Sequence, residues 1–264
     1  MTPQITNWDD LAFALEEVDP ESKVFHYTSF GLLDDNDTFY YGQLDAFKTE
    51  ISFDQLMAAL NSVPDDTIYP LWLETELHEA PETQHEDIYI KRRPFELYGI
   101  LKKQGMEKQL FKSLVSEASV LEVLSHHPHP NLVRYHGCRV KRGYITGLIL
   151  DKHPHDLLSY VEIGNGKIDR VPFMAALESA IQHLHDLGFA HNDLTPSNIL
   201  VTEKGMPILI DFEGCQQLGT ELKYIRGTKE WIEGEIGDHN ISAVRHDDFA
   251  LQKIDAWLDD QDSK

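Results

Sequence analysis

Residues 191–214 read HNDLTPSNILVTEKGMPILIDFEG, and the spacing of their polar and apolar residues decides the fold. Two apolar runs, residues 199–201 and 208–210, flank a Thr-Glu-Lys-Gly turn, which predicts a tight hairpin. Asn198 precedes the first run and Asp211 follows the second. Because a hairpin leaves and returns at the same edge, we expect Asn198 and Asp211 to lie side by side.

Oxygen ligands placed in this way suit a hard cation such as magnesium, which keeps several waters and bridges the phosphates of a substrate. Asp193, on the loop before the hairpin, is able to accept a proton from an incoming hydroxyl. Asp and Asn also cap backbone groups in turns, so each residue alone is compatible with a structural role. The joint spacing, with His191 two residues before Asp193 and Phe212 directly after Asp211, is far more specific than any of these residues alone and indicates a functional site.

The charge of the chain is concentrated in its first third. Residues 1–87 hold 20 Asp and Glu but only two Lys, a net charge of −18 out of −22 for all 264 residues. This negative potential argues against partners such as nucleic acid or an anionic membrane surface. A solubilising face is the simplest explanation, and a docking site for a basic partner is the alternative.

Composition also bounds the compartment. The chain contains no run of 18 apolar residues, and its first residues lack the basic and apolar regions of a signal peptide, so we expect neither a membrane span nor secretion. Cys138 and Cys215 lack metal-ligand spacing, which favours a reduced, cytoplasmic location. The length is sufficient for a two-lobed domain or for a domain with an extension.

Hydrophobic periodicity predicts the local structure of the first part of the chain. Residues 8–18 are typical of a short amphipathic helix, and residues 51–63 also have helical periodicity. Residues 24–30 and 38–47 have strand-like spacing of aromatic and β-branched residues. The acidic, proline-containing residues 74–87 predict a loop.

Two charged residues follow in contexts that need explanation. Residues 88–91, IYIK, predict a short strand that ends at Lys91. Residues 111–124 predict a helix whose apolar stripe includes Glu117. A carboxylate on a buried stripe is costly unless it is paired, although a Glu at the edge of the stripe is able to reach solvent.

From about residue 87 to residue 258 the sequence resembles the protein-kinase superfamily. The resemblance is carried by HPNLVRYHG at 129–137, HND-x-x-P-x-N at 191–198, Asp-Phe at 211–212, RGTKEWIEGE at 226–235 and DDFAL at 247–251. It is similar in particular to small fungal kinase-like proteins that contain HPHPN, RYHGC and ITGL. The resemblance implies an α+β, two-lobed kinase-like fold.

On this resemblance we expect three regions. Residues 1–86 form an acidic N-terminal extension packed on the small lobe, residues 87–151 form the N-lobe, and residues 152–264 form a truncated C-lobe. The extension is expected to substitute for the missing phosphate-binding hairpin, because no Gly-x-Gly-x-x-Gly precedes Lys91.

The resemblance also assigns catalytic roles. Asp193 orients or deprotonates the acceptor hydroxyl, and Asn198 and Asp211 hold magnesium. Lys91 binds the α- and β-phosphates of the nucleotide, with Lys102 and Lys103 as competing candidates for that role, and Glu117 positions Lys91.

Further assignments concern the adenine end of the site and the scaffold. Leu150 occupies the gatekeeper position, and Asp151 and His153 lie in a hinge that offers backbone hydrogen bonds to adenine. Asp247 supports the backbone of the catalytic loop. The implied reaction is in-line transfer of the γ-phosphoryl group of ATP to a hydroxyl of a protein or a small molecule, with ATP and Mg²⁺ required.

Several positions depart from the family pattern. Tyr89 replaces the small residue that usually lies against adenine, and Glu213 stands where Asp-Phe-Gly has its glycine, with Gly214 displaced by one. Asn192 replaces the Arg that pairs with a phosphorylated activation loop, so control by loop phosphorylation is not expected. Only seventeen residues follow Asp247, so the later helices of the large lobe are expected to be missing.

These departures keep three functions open: an active phosphotransferase, a pseudokinase that acts as a binding module, and a kinase-fold enzyme with altered chemistry. The His-Asn-Asp and Ile-Asp-Phe-Glu sequences also resemble small-molecule kinases of the aminoglycoside and choline type. The Gly-Thr-x-x-Trp sequence, in contrast, is typical of protein kinases.

Overall fold

Helices and sheets are mixed along the chain, as expected for an α+β fold. The computed structural model describes residues 4–19, 21–73, 76–81, 87–164, 167–222 and 225–262; parts of the predicted loop at 74–87 therefore lie outside the described residues. Within the described residues, no helix combines the length and the apolarity that crossing a bilayer requires.

The chain divides into two compact units that interleave in sequence. Unit 1 consists of Met1–Leu73, Arg92–Leu114 and Arg139–Gly147, and unit 2 consists of Glu74–Lys91, Val115–Cys138 and Leu148–Lys264. Residues 1–73 thus share a unit with part of the predicted N-lobe. The predicted division at residues 86 and 151 stays a prediction.

Unit 1 is built on a four-stranded antiparallel sheet with the strand order β1-β2-β3-β4. Successive side chains of each strand point to opposite faces of the sheet, so apolar residues of one strand reach both faces. The elements of this unit are β1 (Phe13–Val18), β2 (Phe25–Leu33), β3 (Phe39–Leu44), α1 (Phe53–Ala59), β4 (Asn61–Ser62), α2 (Asp65–Ile68) and α3 (Tyr98–Gln104).

The helix predicted for residues 8–18 is wrong. A 3-10 turn, Trp8–Asp10, precedes the strand β1, which pairs with β2 from Phe13 opposite Gly31 to Val18 opposite Phe25. Pairing with β2 along six residues of extended chain, rather than a periodic pattern in β1 itself, satisfies the backbone groups of this segment. The other three predictions are confirmed, with β2, β3 and α1 inside the predicted ranges or within three residues of them.

Both faces of this sheet are covered by apolar side chains. On one face, Phe39 stacks on Phe95 with ring centroids 4.2 Å apart and meets Tyr98 of α3 edge-on at 5.5 Å. On the other face, Phe30 packs in a cluster with Leu56 of α1. Covering both faces buries Phe30, Phe39 and Tyr41 in a core to which Phe95 and Tyr98 also contribute.

A buried carboxylate fixes the loop between β2 and β3. Asp37 is fully buried and accepts hydrogen bonds from Arg92, Arg139 and Thr146. Burial alone would raise the pKa of Asp37, but these hydrogen bonds hold it below its usual value. The loop therefore depends on a charge that three side chains of unit 1 satisfy.

Unit 2 begins with a short strand that carries the predicted lysine. The strand β5 (Ile88–Lys91) pairs antiparallel with β7 (Tyr144–Asp151), and Lys91 lies opposite Leu148. The sheet has the strand order β5-β7-β6, where β6 is Tyr135–Lys141, and β6 and β7 contribute residues to both units. The helix α4 (Lys112–His126) carries Glu117, as predicted.

The remaining elements of unit 2 surround the predicted hairpin. Asn198 lies opposite Ile210, whose amide donates to the Asn198 carbonyl at 3.0 Å, so the hairpin closes as predicted and brings Asp211 next to Asn198 along its edge. The elements are β8 (His155–Asp156), α5 (Leu157–Ile163), α6 (Arg170–Asp186), β9 (Phe189–Ala190), β10 (Ile199–Val201), β11 (Pro207–Leu209), β12 (Gln216–Gln217) and α7 (Val244–Asp262).

Candidate functional site

A cavity of about 500 Å³ in unit 2 collects the residues that were predicted to bind a ligand. Strand ends and loops line it, because side chains that leave β5, β7 and the β10–β11 hairpin converge there. Its lining includes Tyr89, Lys91, Val133, Leu150, Asp151, Lys152, His153, Asp156, Ser197, Asn198, Leu200, Ile210 and Asp211.

Lys91 is the centre of an ion-pair cluster at this cavity. Its Nζ lies 2.8 Å from Oε1 of Glu117 and 2.8 Å from Oδ1 of Asp211. Glu117 Oε1 also accepts the backbone N–H of Phe212 at 3.1 Å. One carboxylate of α4 therefore orients both the lysine side chain and the segment that carries Asp211. The competing candidates Lys102 and Lys103 lie in α3 of unit 1.

The surroundings shift the pKa of each group in this cluster differently. Burial alone would lower the pKa of Lys91, but the carboxylates of Glu117 and Asp211 raise it, so the lysine is charged. Burial alone would raise the pKa of Asp211, but Lys91 holds it below its usual value. Burial raises the pKa of Glu117 to about 7 in spite of Lys91, and the nearby charges of Asp211 and Glu213 act in the same direction.

Glu213 belongs to the same cluster, a role that the sequence prediction missed. Its carboxylate lies 3.8 Å from Lys91 Nζ, and single oxygens of Glu117, Asp211 and Glu213 lie within 4.8 Å of one another. The available signal was that an acidic residue replaces a glycine two residues after Asp211. Carboxylate oxygens are the ligand type that a hard divalent cation prefers, and Asn198 lines the same cavity as Asp211.

Asp193 is held by two contacts at the start of the hairpin. Asn198 Nδ2 donates to the Asp193 carbonyl at 2.8 Å, which leaves the Asn198 Oδ1 as the acceptor of that amide. The hydroxyl of Thr228 donates to Asp193 Oδ1 at 2.8 Å. Thr228 was not predicted as a site residue, although the Gly-Thr pair of residues 227–228 was noted. These contacts orient the Asp193 carboxylate.

A buried carboxylate on α7 supports the backbone ahead of Asp193. Oδ2 of Asp247 accepts the amide of His191 at 2.8 Å, and Oδ1 accepts the amide of Asn192 at 2.8 Å. The His185 side chain lies 2.9 Å from the same carboxylate. Asp247 is fully buried, so its charge is satisfied by these groups rather than by water.

Gly214 lies close to the loop that carries Asp193, so a side chain at this position would be crowded. A Cβ on Gly214 would stand 3.1 Å from the His191 carbonyl and 3.3 Å from Cβ of Asp193. The side chain of Glu213, in contrast, extends toward Lys91. The sequence Asp-Phe-Glu-Gly therefore keeps a small residue at the close approach and adds a carboxylate to the cluster.

The residues that were predicted to form a hinge also line the cavity. Leu150 is buried there, the Asp151 amide donates to the Arg134 carbonyl at 3.1 Å, and the Lys152 amide donates to the Asp87 carbonyl at 2.9 Å. The Asp151 side chain is paired with His136 at 2.6 Å.

Tyr89, which stands where the family has a small residue, lies opposite Leu150 in the sheet. Its side chain lines the cavity but is 52% exposed, so it stands at the rim and leaves the interior open.

Comparison with known proteins finds sequence similarity over much of the chain. The family model described as "Protein kinase domain" matches residues 98–257, which is more than half of the chain. The MAP kinase kinase kinase SSK2 of Saccharomyces cerevisiae is 29% identical over 160 residues, 56% of this chain and 10% of that protein. The serine/threonine-protein kinase TAO2 of Homo sapiens is 26% identical over 198 residues, 71% of this chain and 15% of that protein. Aurora kinase B of Xenopus tropicalis is 29% identical over 162 residues, 60% of this chain and 40% of that protein.

Among solved structures, the yeast RNA Pol II CTD kinase CTDK-1 complex matches 56% of this chain and 50% of its own, with 19% identity and a TM-score of 0.49. The chain spans less than half the length of each of these curated relatives.

Proposed function

Since this chain belongs to the protein kinase family, we propose that it transfers the γ-phosphoryl group of ATP to a hydroxyl group in a magnesium-dependent reaction. The observation that carries the proposal is the position of Lys91, 2.8 Å from both Glu117 and Asp211, at a cavity that Asn198 also lines. A module that bound partners only at its surface would have no physical need for these groups at an open cavity.

The residues around Lys91 have complementary tasks in this proposal. Lys91 leaves Asp211 and binds phosphate oxygens, while Glu117 keeps the lysine side chain extended into the cavity. Asn198 and Asp211 hold magnesium, and Glu213 adds a third oxygen ligand from the same cluster. The bound cation supplies neutralisation of the phosphate charge during transfer.

The acceptor end of the site is organised by Asp193. Its carboxylate accepts the proton of the attacking hydroxyl or orients that hydroxyl. The Thr228 hydroxyl, which donates to Oδ1 of Asp193 at 2.8 Å, holds the carboxylate in place. This arrangement needs no chemical step beyond proton transfer and in-line displacement, since positioning and charge neutralisation supply most of the catalysis in phosphoryl transfer.

At the opposite end we assign adenine to the hinge. The backbone N–H groups of Asp151 and Lys152 already donate to protein carbonyls. We therefore assign the backbone N–H of His153 as the hinge donor to the base. Leu150 is only 4% exposed and provides an apolar wall behind it. Tyr89 at the rim stacks on or beside the base rather than excluding it.

For the acceptor we favour a serine or threonine of a protein. Two observations support this choice: the contact of Thr228 with Asp193, and relatives that include serine/threonine-protein kinases. A small-molecule hydroxyl is the alternative, on the basis of the Ile-Asp-Phe-Glu sequence. Labelled ATP with a serine and threonine peptide array in one arm, and with choline and aminoglycosides in the other, distinguishes the two acceptor classes.

The proposal is tested by calorimetric titration of the purified chain with ATP, with and without magnesium. Magnesium-dependent binding that is lost in Asp211→Asn and kept in Glu203→Gln supports it; Glu203 is an exposed carboxylate on the turn of the same hairpin. If the wild type binds no nucleotide in either condition, the pseudokinase function replaces this one.

A further inference from the structure

Asn192, immediately before Asp193, is buried at the centre of a hydrogen-bonded network. Its backbone has φ of 63°, a left-handed conformation that Asn adopts more readily than most residues with a side chain. Its Nδ2 donates to the carbonyls of Ala190 and Gly214 at 2.8 and 3.0 Å and lies 3.1 Å from the hydroxyl of Ser242. The amide therefore ties the catalytic loop to two other stretches of the chain.

The oxygen of the same side chain is also engaged. Oδ1 of Asn192 accepts the amide of Ala243 at 3.3 Å and lies 3.0 Å from Nδ1 of His246. Because Nδ2 faces two carbonyl oxygens, the atom that faces His246 is the amide oxygen, and so His246 Nδ1 is the donor. This assigns the Nδ1-protonated tautomer to His246.

The groups that hydrogen-bond to the Asn192 side chain are uncharged. Burial lowers the pKa of His246 to about 4, and His239 and Arg245 act in the same direction, so the ring is uncharged near neutral pH. The other partners of the Asn192 side chain are backbone groups and a hydroxyl. Because the groups at this buried position are uncharged, no buried anion is needed to balance them. A guanidinium at the same position would need one.

The network extends to the segment that contributes Thr228. The ring of His239 stacks on His246 with centroids 4.1 Å apart, and His239 Nε2 lies 2.9 Å from the carbonyl of Glu233. Both rings are at least 95% buried. The loop before Asp193 and the segment around residue 233 are therefore connected through two stacked imidazoles.

We propose that Asn192 and His246 form a latch, a hydrogen-bonded pair that positions Asp193 for phosphoryl transfer. This role rests on the proposed function. His246 is a positioning residue: it contacts no reacting atom and acts through Asn192, whose backbone leads directly into Asp193. The latch fixes the φ of the residue before the carboxylate, and the Thr228 hydroxyl fixes the carboxylate itself.

The test compares three variants with the wild type by ATP hydrolysis in the absence of an acceptor and by Mg-ATP affinity. His246→Phe keeps a ring but removes the donor, His246→Asn restores a donor, and His127→Phe alters an exposed histidine as control. We expect kcat of His246→Phe to fall about tenfold to a hundredfold, because small errors in positioning have effects of this size. Its KM for ATP and its affinity for Mg-ATP should change less than about twofold, since the nucleotide residues do not contact His246.

Rescue separates positioning from a merely structural role. His246→Asn should recover most of the lost kcat. Loss of kcat with an equal rise of KM and no rescue by Asn would overturn the latch. Absence of both nucleotide binding and hydrolysis in the wild type would instead overturn the proposed function itself.

Discussion

Nζ of Lys91 lies 2.8 Å from Oδ1 of Asp211, so the lysine and the proposed magnesium ligand neutralise each other. Glu117 shares the same ammonium at 2.8 Å, and Glu213 lies 3.8 Å from it. One positive charge thus serves three carboxylates. In the proposed complex the phosphates would pair with Lys91 and the cation with the carboxylates. Nucleotide and cation would therefore each favour the binding of the other.

Replacement of the lysine tests this dependence. Lys91→Met should weaken binding of Mg-ATP at least about tenfold, because the phosphates lose their charged partner and three carboxylates remain uncompensated. Calorimetric titration measures the affinity, and Lys204→Met, an exposed lysine on the β10–β11 turn, is the control. An unchanged affinity in Lys91→Met would remove Lys91 from the nucleotide site.

Glu213 should determine how much magnesium the site requires. If it is a cation ligand, Glu213→Gln removes a charged oxygen, and the magnesium concentration for half-maximal nucleotide binding should rise about threefold to tenfold, a loss of about 1 kcal/mol. Titration of magnesium at fixed nucleotide concentration measures this midpoint. A midpoint that stays the same, or falls, would show that Glu213 only repels the phosphates.

The parts of the site that could be predicted from the sequence are those with local patterns. The β10–β11 hairpin follows from two apolar runs and a glycine-containing turn, and it alone brings Asn198 and Asp211 together. Glu117 could be predicted because a carboxylate on an apolar stripe needs a partner. In both cases a few consecutive residues contain the information.

The parts that could not be predicted depend on residues distant in sequence. His246 meets Asn192 across 54 positions, and Lys91 meets Glu213 across 122, with no periodicity that links them. The strand β1 was mistaken for a helix because its pairing with β2, rather than its own propensity, determines its conformation. Tertiary packing determines these contacts and this strand, and a single sequence contains no local pattern that reveals it.

Asp247 should be essential for stability. Asp247→Asn replaces one buried acceptor by an NH₂ group, which faces either the His191 or the Asn192 amide and leaves it unsatisfied. We expect the free energy of unfolding to fall by about 2–4 kcal/mol. Urea denaturation measures the change, and Asp248→Asn, an exposed neighbour on α7, should change it by less than about 0.5 kcal/mol. Equal effects of the two variants would contradict the scaffold role.

Asp37 offers the corresponding test in unit 1. Asp37→Asn leaves Arg92 and Arg139 without their shared charge and places an NH₂ group against donors. Loss of a buried partner of this kind costs about 3–5 kcal/mol. Thermal unfolding should show the loss, and Asp35→Asn, exposed in the same loop, should not. Unchanged stability in Asp37→Asn would mean that the two arginines find other partners.

The pKa of His246 predicts a specific dependence of stability on pH. An unfolded histidine has a pKa of about 6.5, whereas burial lowers that of His246 to about 4 in the folded chain. Above pH 6.5 both states are neutral at this residue, so it contributes no pH dependence. As the pH falls from 6.5 toward 4, the unfolded chain takes up a proton that the folded chain does not, and stability is lost.

At pH 5.5, one unit below the unfolded pKa, this loss amounts to about 1.4 kcal/mol relative to pH 7.5. The measurement stays above the pI of 4.9, where the chain keeps its negative charge. The free energy of unfolding of the wild type and of His246→Asn should be compared at both pH values, since every other titrating group acts on both proteins alike. The wild type should lose about 1.4 kcal/mol more than the variant between these two pH values. Equal losses in the two proteins would show that His246 titrates in the folded chain as it does in water. The network around Asn192 would then contain a charged ring at pH 5.5.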